Sequence, residues 1–292
     1  MKEVELIRRI QAWVPRAGRG VLLGIGDDCA VFRPRGARED LLVTTDLLIE
    51  GVHFLREAHP ASAVGWRTLA RGLSDIAAMG GRPRFCLVSL ALAEWADRRW
   101  VDGFYRGLLK LAWREGVALV GGDLSHAERV MCDVVVCGGA PKGKWLRRDG
   151  ARPGDGIYVS GELGASALGL RTRRGRAWRL HLKPEPRLEL GRLLRTRFHA
   201  TAAMDLSDGL SLDLHRLCLA SRVAAELDQV PVFPRATLED ALHGGEDYEL
   251  LFTLPCETDA FPRLGTIVPG KPGAVRLAGE PLEPRGYDHF GG

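Results

Sequence analysis

The run LLVTTDLLI at residues 41–49 sets the pattern of the N-terminal half, because its apolar stretch is typical of a strand. Amphipathic helices are predicted on either side of a second strand, over about 61–79 and 98–115. Further strand-like runs occur at 85–92, 117–122 and 131–139. The alternation of strands and helices predicts an α/β arrangement for this half.

A segment rich in Gly, Pro and charge at 140–155 interrupts this pattern and predicts a domain boundary. A second α/β pattern follows, with strands predicted at 156–161, 202–206, 224–228 and 248–254. Helices are predicted at Val4 to Trp13, around 164–171 and 187–197, and from about Gly209. We therefore expect an α+β, mixed α/β fold with two domains, residues 1–139 and 140–292.

Composition excludes several classes of protein. A chain of 292 residues with 46% hydrophobic and 27% charged residues is neither disordered nor fibrous. The net charge of +4 does not favour nucleic acid as a partner, and the arginines at 171–179 are predicted to form a solvated loop or helix face. No apolar run reaches the roughly 20 residues that span a bilayer, and the N-terminus is too charged for a signal peptide. Six cysteines without zinc spacing fit reduced thiols, so we expect a cytoplasmic protein with no membrane partner.

Aspartates beside Gly, Ser or Thr recur along the chain, where the pattern predicts the ends of strands. They occur in Gly26-Asp27-Asp28, Thr44-Thr45-Asp46, Ser74-Asp75, Gly121-Gly122-Asp123 and Asp205-Leu206-Ser207-Asp208-Gly209. Each one alone is more often a turn or a helix cap. Several carboxylates that converge can hold Mg²⁺, and adjacent glycines let phosphates approach backbone N–H groups. The set therefore predicts a metal and phosphate site.

Signatures of the common kinases are missing. The chain contains no GxxxxGK[ST] loop, no HRD catalytic loop and no DFG. The segment Gly161-Glu162-Leu163-Gly164 fits both a phosphate-binding turn and a structural turn, and the sequence leaves both open. The helical tryptophans Trp66, Trp100 and Trp113 are predicted to be core residues.

Six blocks occur in an order that resembles the thiamine-monophosphate kinase family. They are GIGDDCAVF, TTDLLIEGVHF, LSDIAAMGGRP, VGGDLS, DLSDGL and GGEDYELLFT. The resemblance spans about residues 3–290 and implies an aminoimidazole ribonucleotide synthetase-like fold. In that fold an N-terminal sheet with flanking helices pairs in a homodimer, with ATP near the interface, and a C-terminal α/β sandwich-like domain completes the site. It also implies that several Mg²⁺ ions, ATP and thiamine monophosphate bind.

The resemblance also implies roles for single residues. Positions that match Mg²⁺ ligands are Asp27, Thr44, Thr45, Asp46, Asp75, Asp123, Asp205 and Asp208. Four of these are expected to be catalytic, namely Asp27, Asp46, Asp75 and Asp208. Positions that match ATP contacts are Tyr105, Gly122, Asp123, Arg148 and Ser207, with Arg147 as an alternative to Arg148. Positions that match substrate contacts are His53 and Glu246, with Tyr287 as the expected aromatic contact. Without the resemblance, His53 and Tyr105 fit ordinary packing and Glu246 fits a strand cap.

The implied reaction transfers the γ-phosphate of ATP to a phosphate monoester, whose second pKa is about 6. The attacking oxygen is thus mostly deprotonated, and repulsion between two polyanions is the main obstacle, which a Mg²⁺ cage would relieve. Other enzymes of the superfamily remain alternatives: aminoimidazole ribonucleotide synthetase, selenophosphate synthetase and a hydrogenase maturation protein. A non-catalytic nucleotide or Mg²⁺ sensor and a nucleic-acid binder also remain open.

Overall fold

The computed structural model describes residues 3–14, 18–287 and 289. Its N-terminal part is built on a six-stranded sheet. The strands β1 to β6 span Val21–Leu23, Ala30–Phe32, Glu39–Ile49, Arg82–Leu92, Ala118–His126 and Met131–Pro141. Their order is β1-β2-β3-β6-β4-β5, and every pair is antiparallel except the parallel pair β4 and β5. Strand β5 therefore forms an edge of the sheet.

The first three helices, α1 to α3, span Glu3–Trp13, Ala61–Ala78 and Arg98–Glu115. Helices α2 and α3 pack against one face of this sheet. Helix α3 begins where the Asp97 carboxylate accepts a hydrogen bond from the Trp100 N–H and ends at Gly116, which has a φ of 68°. Helices α2 and α3 can pack closely because Gly107 has no side chain. A Cβ at this position would lie 1.9 Å from the Ser62 carbonyl oxygen.

The C-terminal part is built on a seven-stranded sheet. The strands β7 to β13 span Gly156–Val159, Ala202–Asp205, Ala224–Leu227, Leu250–Leu254, Arg263–Val268, Val275–Leu277 and Glu280–Pro281. Their order is β13-β12-β9-β11-β7-β10-β8, antiparallel except for β9 and β12. Helices α4 to α8 span Ala165–Thr172, Gly175–Leu182, Leu188–Leu193, Leu210–Ser221 and Leu238–His243. A π-helical turn, Leu194–Phe198, extends α6.

Helix α2 joins the two sheets. Ala77 and Ala78, at its end, belong to a buried cluster with Tyr158 of β7 and Phe252 of β10. Helix α6 also lies against this end, because a Cβ at Gly191 would meet the Ala77 carbonyl oxygen at 1.9 Å. The C-terminal turns of α2 are therefore fixed between the two halves of the molecule.

The mixed α/β fold with two sheets is confirmed, and so are the predicted strands and the helices α1 to α4, α6 and α7. Short elements were not predicted: β1, β2, β11 to β13, α5 and α8. Helix α5 lies in the arginine-rich segment, where Ala177 and His181 are buried. The prediction for Trp113 is wrong, because its side chain is 76% exposed. The division at residues 139 and 140 stays a prediction, and none of the described helices is long and apolar enough to cross a membrane.

Candidate active site

A cavity of about 450 Å³ lies at the junction of the two halves. Its acidic wall contains Asp46, Asp75, Asp205 and Asp208. Its remaining wall includes the predicted residues His53, Ser207, Glu246 and Tyr287. The structure thus brings eight of the predicted site residues, from distant parts of the chain, to one cavity.

The acids reach this cavity from several kinds of element. Asp46 lies within β3, and Asp75 lies in α2, where its carboxylate accepts a hydrogen bond from the Thr44 hydroxyl. Asp205 is the last residue of β8. The expectation that all of the aspartates end strands is therefore wrong for Asp46 and Asp75, and also for Asp123, which lies within β5.

Asp28, rather than Asp27 alone, completes the acidic wall. One oxygen atom from each of Asp28, Asp75 and Asp205 lies within 4.8 Å of the other two. Arg148 contacts both aspartates of the pair: its guanidinium lies 2.5 Å from Asp28 Oδ1, and its Nε lies 3.6 Å from Asp27 Oδ1. Arg148, the preferred alternative to Arg147, therefore lies beside the cluster, whereas Arg147 pairs with its near neighbour Asp149.

The carboxyl groups of the wall are held at raised pKa values. Burial, followed by the charge of Asp28, raises the pKa of Asp27 to about 6. Burial also raises the pKa values of Asp28, Asp75 and Asp205, and neighbouring carboxylates add to the shifts of Asp75 and Asp205. Several buried like charges in one place cannot all ionise at low cost, so a cation would stabilise their ionised forms.

The wall fits Mg²⁺ by its donor atoms. Its ligands are hard carboxylate oxygens, which Mg²⁺ prefers. Asp28 Oδ2 and Asp46 Oδ2 are both buried and have no hydrogen-bond partner within the described part of the chain. Orphaned buried oxygens are rare in folded proteins and are expected where an ion binds. We conclude that Asp28, Asp46, Asp75 and Asp205 form a suitable cation site.

The turn after β8 carries a second acidic pair. Asp213 on α7 accepts hydrogen bonds from the backbone N–H groups of Asp208 and Gly209, at 3.0 and 3.1 Å. Arg216 contacts the carboxylates of both Asp208 and Asp213. Burial and the charge of Asp208 raise the pKa of Asp213 to about 7. The turn therefore holds Asp208 at the cavity, where the guanidinium of Arg216 pairs with its carboxylate.

Glu246 faces the acids but lies in the opposite electrostatic environment. Its Oε1 is 2.6 Å from the buried guanidinium of Arg67 and 3.9 Å from that of Arg71. Arg71 Nε also lies 3.3 Å from Asp46 Oδ1, so it links the two walls. Burial alone would raise the pKa of Glu246, but Arg67, His181 and Arg71 lower it to about 2. Glu246 is therefore an ionised, fixed carboxylate.

His53 and Tyr287 complete the substrate-facing part of the prediction. His53 Nδ1 accepts a hydrogen bond from the Ile49 N–H at 3.0 Å, and burial lowers its pKa to about 4. The ring is thus neutral with its Nε2 protonated. Tyr287 lies on the cavity wall, and its N–H donates to the Asp208 carbonyl at 3.2 Å. Both positions suit contact with a ligand, and their roles stay predictions.

Four predicted residues lie elsewhere in the single chain. Thr45 faces the opposite side of β3 and donates to Asp133 Oδ1 at 2.8 Å. Asp123 lines a separate shallow cavity of about 220 Å³ with Ser89 and Asp133. We call Thr45, Asp123 and Asp133 the outer group. Adjacent residues on a strand point to opposite faces, so Thr45 cannot join Asp46 through its side chain.

Gly122 and Tyr105, the other two, also lie outside the cavity. The register Asp46–Val134–Val88–Gly122 places Gly122 three strands from Asp46, roughly 14 Å at the usual strand spacing. A Cβ at Gly122 would lie 1.9 Å from the Val88 carbonyl oxygen, which explains the glycine structurally. Tyr105 is half-buried and packs edge-on against Phe104. Their roles as ATP contacts stay predictions.

The turn at Gly161 to Gly164 is structural in this chain. The Asp247 carboxylate accepts hydrogen bonds from the Gly164 and Ser166 N–H groups, at 2.6 and 2.9 Å. It therefore caps the N-terminus of α4, where a phosphate would otherwise bind. Of the two readings that the sequence left open, the structure supports the turn.

Sequence reasoning missed several residues at the site. Asp28 was visible in the motif but was passed over for its neighbour Asp27. Arg67, Arg71 and Arg216 lie on helices and belong to no recognisable motif. Their positions along the helices do not indicate that they pair with carboxylates at the site. Ser166 lies after the Gly161 to Gly164 turn, which drew attention only as a phosphate motif.

The fold and the acidic cavity define a class of protein. Residues 26–140 match the family model described as "AIR synthase related protein, N-terminal domain". This match includes strands β2 to β5 and most of β6, together with Asp28, Asp46 and Asp75 of the acidic wall. This part of the chain is therefore similar to the N-terminal domain of the AIR synthase related proteins.

Full-length similarity narrows the class. Thiamine-monophosphate kinase of Escherichia coli (strain K12) is 36% identical over an alignment of 325 residues, covering 99% of this chain and 98% of that protein. A solved structure described as "AaThiL complexed with AMPPCP and TMP" has a TM-score of 0.85 and 32% identity, covering 99% and 97% of the two chains. Thiamine-monophosphate kinase from Stenotrophomonas maltophilia K279a has a TM-score of 0.76 and 38% identity, covering 95% and 96%. The chain belongs to the thiamine-monophosphate kinase family.

Proposed function

We propose that this protein transfers the γ-phosphate of ATP to thiamine monophosphate, which gives thiamine diphosphate and ADP. The observation that carries the proposal is the single cavity that combines the acidic wall with the predicted substrate residues His53, Glu246 and Tyr287. The similar AaThiL structure is described with AMPPCP and TMP, which supports the same pair of substrates. The 36% identity to a thiamine-monophosphate kinase over the whole chain also favours it over the other enzymes of the superfamily.

The acidic wall has a clear role in this reaction. Both substrates are polyanions, so bare carboxylates would repel them. Asp28, Asp46, Asp75 and Asp205 would hold Mg²⁺, with Asp27 and Asp208 beside them. Bound Mg²⁺ would neutralise phosphate charge and help hold the donor and acceptor in line.

The arginines of the cavity have a complementary role. Arg148 and Arg71 are each paired with carboxylates of the wall. Burial opposes the charge of both guanidinium groups, but Asp28 and Asp27 keep the pKa of Arg148 raised, and Tyr248 followed by Asp46 keeps the pKa of Arg71 raised. A guanidinium paired in this way can be shared with a phosphate oxygen as a charge-assisted donor. Glu246 is held by Arg67 and stays ionised, so it can accept hydrogen bonds from the acceptor substrate or attract its cationic thiazolium ring. No general base is needed because the attacking phosphate oxygen already carries negative charge.

The outer group suggests that the active form is a homodimer. Strand β5 is an exposed edge that carries Val120 and Leu124, which are 58% and 67% exposed, and the same sheet exposes Leu47 at 45%. An uncovered edge with apolar side chains is a common pairing surface. Pairing of two N-terminal sheets there would place Gly122, Asp123 and Thr45 at the interface, where the resemblance expects ATP. We propose the cytoplasm as the location, since all six cysteines are free thiols.

The activity has a direct test. Purified protein is incubated with ATP, Mg²⁺ and either thiamine, thiamine monophosphate or an aminoimidazole ribonucleotide precursor, and products are separated by chromatography. We expect thiamine diphosphate to form with thiamine monophosphate and no phosphorylated product to form with the other two acceptors. Asp46→Asn and Asp208→Asn should abolish the product while thermal unfolding shows a folded protein. Near-normal turnover in both variants, or turnover of the aminoimidazole precursor instead, would contradict the proposal.

The homodimer is tested separately by sedimentation. Leu124→Arg places a charge on the β5 edge and should convert a dimer into a monomer. Leu238→Arg is the matched control, because Leu238 is 48% exposed on α8, in the other half of the molecule. A wild type that sediments as a monomer at micromolar concentration would refute the dimer and leave the catalytic proposal untouched.

A further inference from the structure

A buried row of three side chains borders the cavity and has no part in the reaction described above. His59 Nε2 lies 3.0 Å from His181 Nε2, and His181 Nδ1 lies 2.8 Å from the Ser166 hydroxyl oxygen. All three side chains belong to residues that are at most 3% exposed. Ser166 lies on the cavity wall, so the row connects the protein interior to the ligand space.

The direction of the hydrogen bonds in this row is set by the backbone. The Leu55 N–H donates to His59 Nδ1 at 3.1 Å, so this ring nitrogen must be unprotonated. A neutral imidazole carries one N–H, and His59 therefore donates from Nε2 to His181 Nε2. His181 must then carry its proton on Nδ1 and donate to Ser166. One backbone N–H thus fixes two tautomers and leaves the Ser166 oxygen as an acceptor.

Both rings are held neutral and in place. Burial, followed by the charge of Arg67, lowers the pKa of His59 to about 4 and that of His181 to about 3. Trp178 stacks on His181 at 5.1 Å between ring centroids and meets His59 edge-on. Arg67 donates to the His181 carbonyl, which also fixes the backbone there. The row therefore has one protonation pattern at neutral pH.

Ser166 is the end of the row that faces the cavity. Its N–H donates to Asp247 Oδ1 at 2.9 Å, which fixes its backbone at the start of α4. Across residues 3–14, 18–287 and 289, His181 is the one hydrogen-bond partner of the Ser166 hydroxyl. Because His181 donates to this oxygen, the hydroxyl hydrogen is free for an acceptor on a bound ligand.

We propose that Ser166 donates its hydroxyl hydrogen to a ring nitrogen of the acceptor substrate, and that His59 and His181 are positioning residues that make it a donor. This inference rests on the proposed function. The same cavity is also lined by the apolar side chains of Ala167 and Leu170, on the same helix as Ser166, and of Val52, which suit an aromatic ring better than a phosphate. The nitrogens of the pyrimidine ring of thiamine monophosphate carry lone pairs, whereas its quaternary thiazolium nitrogen has none. The phosphate belongs with the acidic wall and its cations.

The first test measures the loss of this donor. Ser166→Ala should raise the KM for thiamine monophosphate about three- to tenfold, as expected for one neutral hydrogen bond. The kcat and the KM for ATP should change less than twofold. Ser166→Thr keeps a hydroxyl and should recover most of the affinity. Thr172→Ala, on the same helix, is the matched control, because that hydroxyl bonds only the Leu168 carbonyl within its helix.

The second test determines, without any substrate, which nitrogen of each histidine ring in the row carries the proton. Nitrogen NMR of the wild type should show His59 protonated at Nε2 and His181 at Nδ1. His59→Phe removes the donor to His181, which should then populate the Nε2-protonated form and require Ser166 to donate to it. The KM for thiamine monophosphate should rise in this variant although Ser166 is present. If the variant does not fold, the wild-type spectrum still decides the direction.

The acceptor atom is tested with an analogue of thiamine monophosphate in which a pyrimidine ring nitrogen is replaced by CH. Ser166→Ala should not change the KM for the analogue that lacks the acceptor. Three results would overturn the inference: His181 protonated at Nε2 in the wild type, an unchanged KM in Ser166→Ala, or an equal loss for every analogue. A wild type that forms no thiamine diphosphate would refute the proposed function, and the spectrum would report on the row independently.

Discussion

The two walls of the cavity shift the pKa values of their partly or fully buried carboxyl groups in opposite directions. Asp75 and Asp205, on the acidic wall, are crowded by other carboxylates, and their pKa values are raised well above the usual range. The pKa of Glu246, across the cavity, is also shifted by its surroundings, but in the opposite direction, to about 2. The difference lies in the nearest partner, because Glu246 has a buried guanidinium 2.6 Å away.

This contrast separates two uses of a buried acid. An acid whose counter-ion is built into the fold stabilises that fold, and it is available to position a ligand. An acid without such a partner destabilises the fold until a cation arrives, so its presence is explained by function rather than stability. The same substitution, carboxylate to amide, should therefore act in opposite directions on the two walls.

The largest expected effect is on turnover from the acidic wall. Asp75→Asn or Asp205→Asn removes a carboxylate ligand of the cation but keeps a side chain of almost identical shape. We expect kcat/KM to fall about a thousandfold. Thermal unfolding of the metal-free variants should occur at the same temperature as in the wild type or higher, because a buried like charge has been removed. A variant that lost activity together with stability would indicate a structural role instead.

The second effect is on stability at the opposite wall. Glu246→Gln leaves the buried Arg67 without its carboxylate, although two backbone carbonyls still accept from it. We expect the free energy of unfolding to fall by about 3 kcal/mol, measured by urea denaturation. Arg67→Met in the same background should recover part of the loss. An unchanged midpoint for Glu246→Gln would remove the distinction between the two walls.

Sequence reasoning identified the acidic wall better than its partners. Asp46, Asp75 and Asp205 stand in short polar motifs within apolar runs, and these positions do meet. Thr45 was assigned with Asp46 to the Mg²⁺ positions by the family resemblance. Strand alternation sends the two side chains to opposite faces, and the role of Thr45 stays a prediction. Arg67 has no motif, because its importance comes from a carboxylate 179 residues away in the chain. The spacing of residues within a short segment cannot predict pairings between side chains that are so far apart in the chain.

The fold shows the same limit. Strand β3 and helix α2 are long and strongly patterned, so sequence periodicity was sufficient to predict them. Helices α5 and α8, of eight and six residues, are too short to establish a period, and they depend on tertiary contacts. The Trp113 error arose because an apolar residue on a helix was assigned to the core, although it is 76% exposed.

A third prediction concerns pH and the acids without built-in partners. The raised pKa of Asp213, about 7, means that the folded state holds a proton that the unfolded state has released. The stability that this group contributes is therefore lost as the pH rises through 7, and we expect its contribution to be about 1 kcal/mol smaller at pH 8 than at pH 6.5 in metal-free protein. The buried histidines act in the opposite direction at the lower end of this window, because they are neutral in the folded state but partly protonated near pH 6.5 in the unfolded state.

The control for this prediction is Asp213→Asn, and the difference between its slope and that of the wild type isolates Asp213 from Asp247, whose pKa is also about 7, and from the histidines. The buried thiols of Cys132 and Cys218 do not interfere, since burial raises the pKa of each to about 12. Equal slopes for the wild type and Asp213→Asn, measured by urea denaturation between pH 6.5 and 8, would contradict the assignment. Addition of Mg²⁺ should also flatten the slope, because ions would favour the ionised carboxylates of the neighbouring wall.

The smallest effect concerns Asp247, which lies next to Glu246 but behaves like the acidic wall. Burial raises its pKa to about 7, although it accepts two backbone N–H groups at the start of α4. Asp247→Asn should cost less than about 1 kcal/mol at pH 7.5, since one amide oxygen still caps the helix. The cost should grow as the pH is lowered from 7 to 5, because the wild-type carboxyl takes up a proton there only in the folded state. A cap that acted only through its negative charge would show the reverse trend, so paired denaturation curves at pH 5 and pH 7.5 distinguish burial from the helix dipole as the dominant influence on this carboxyl.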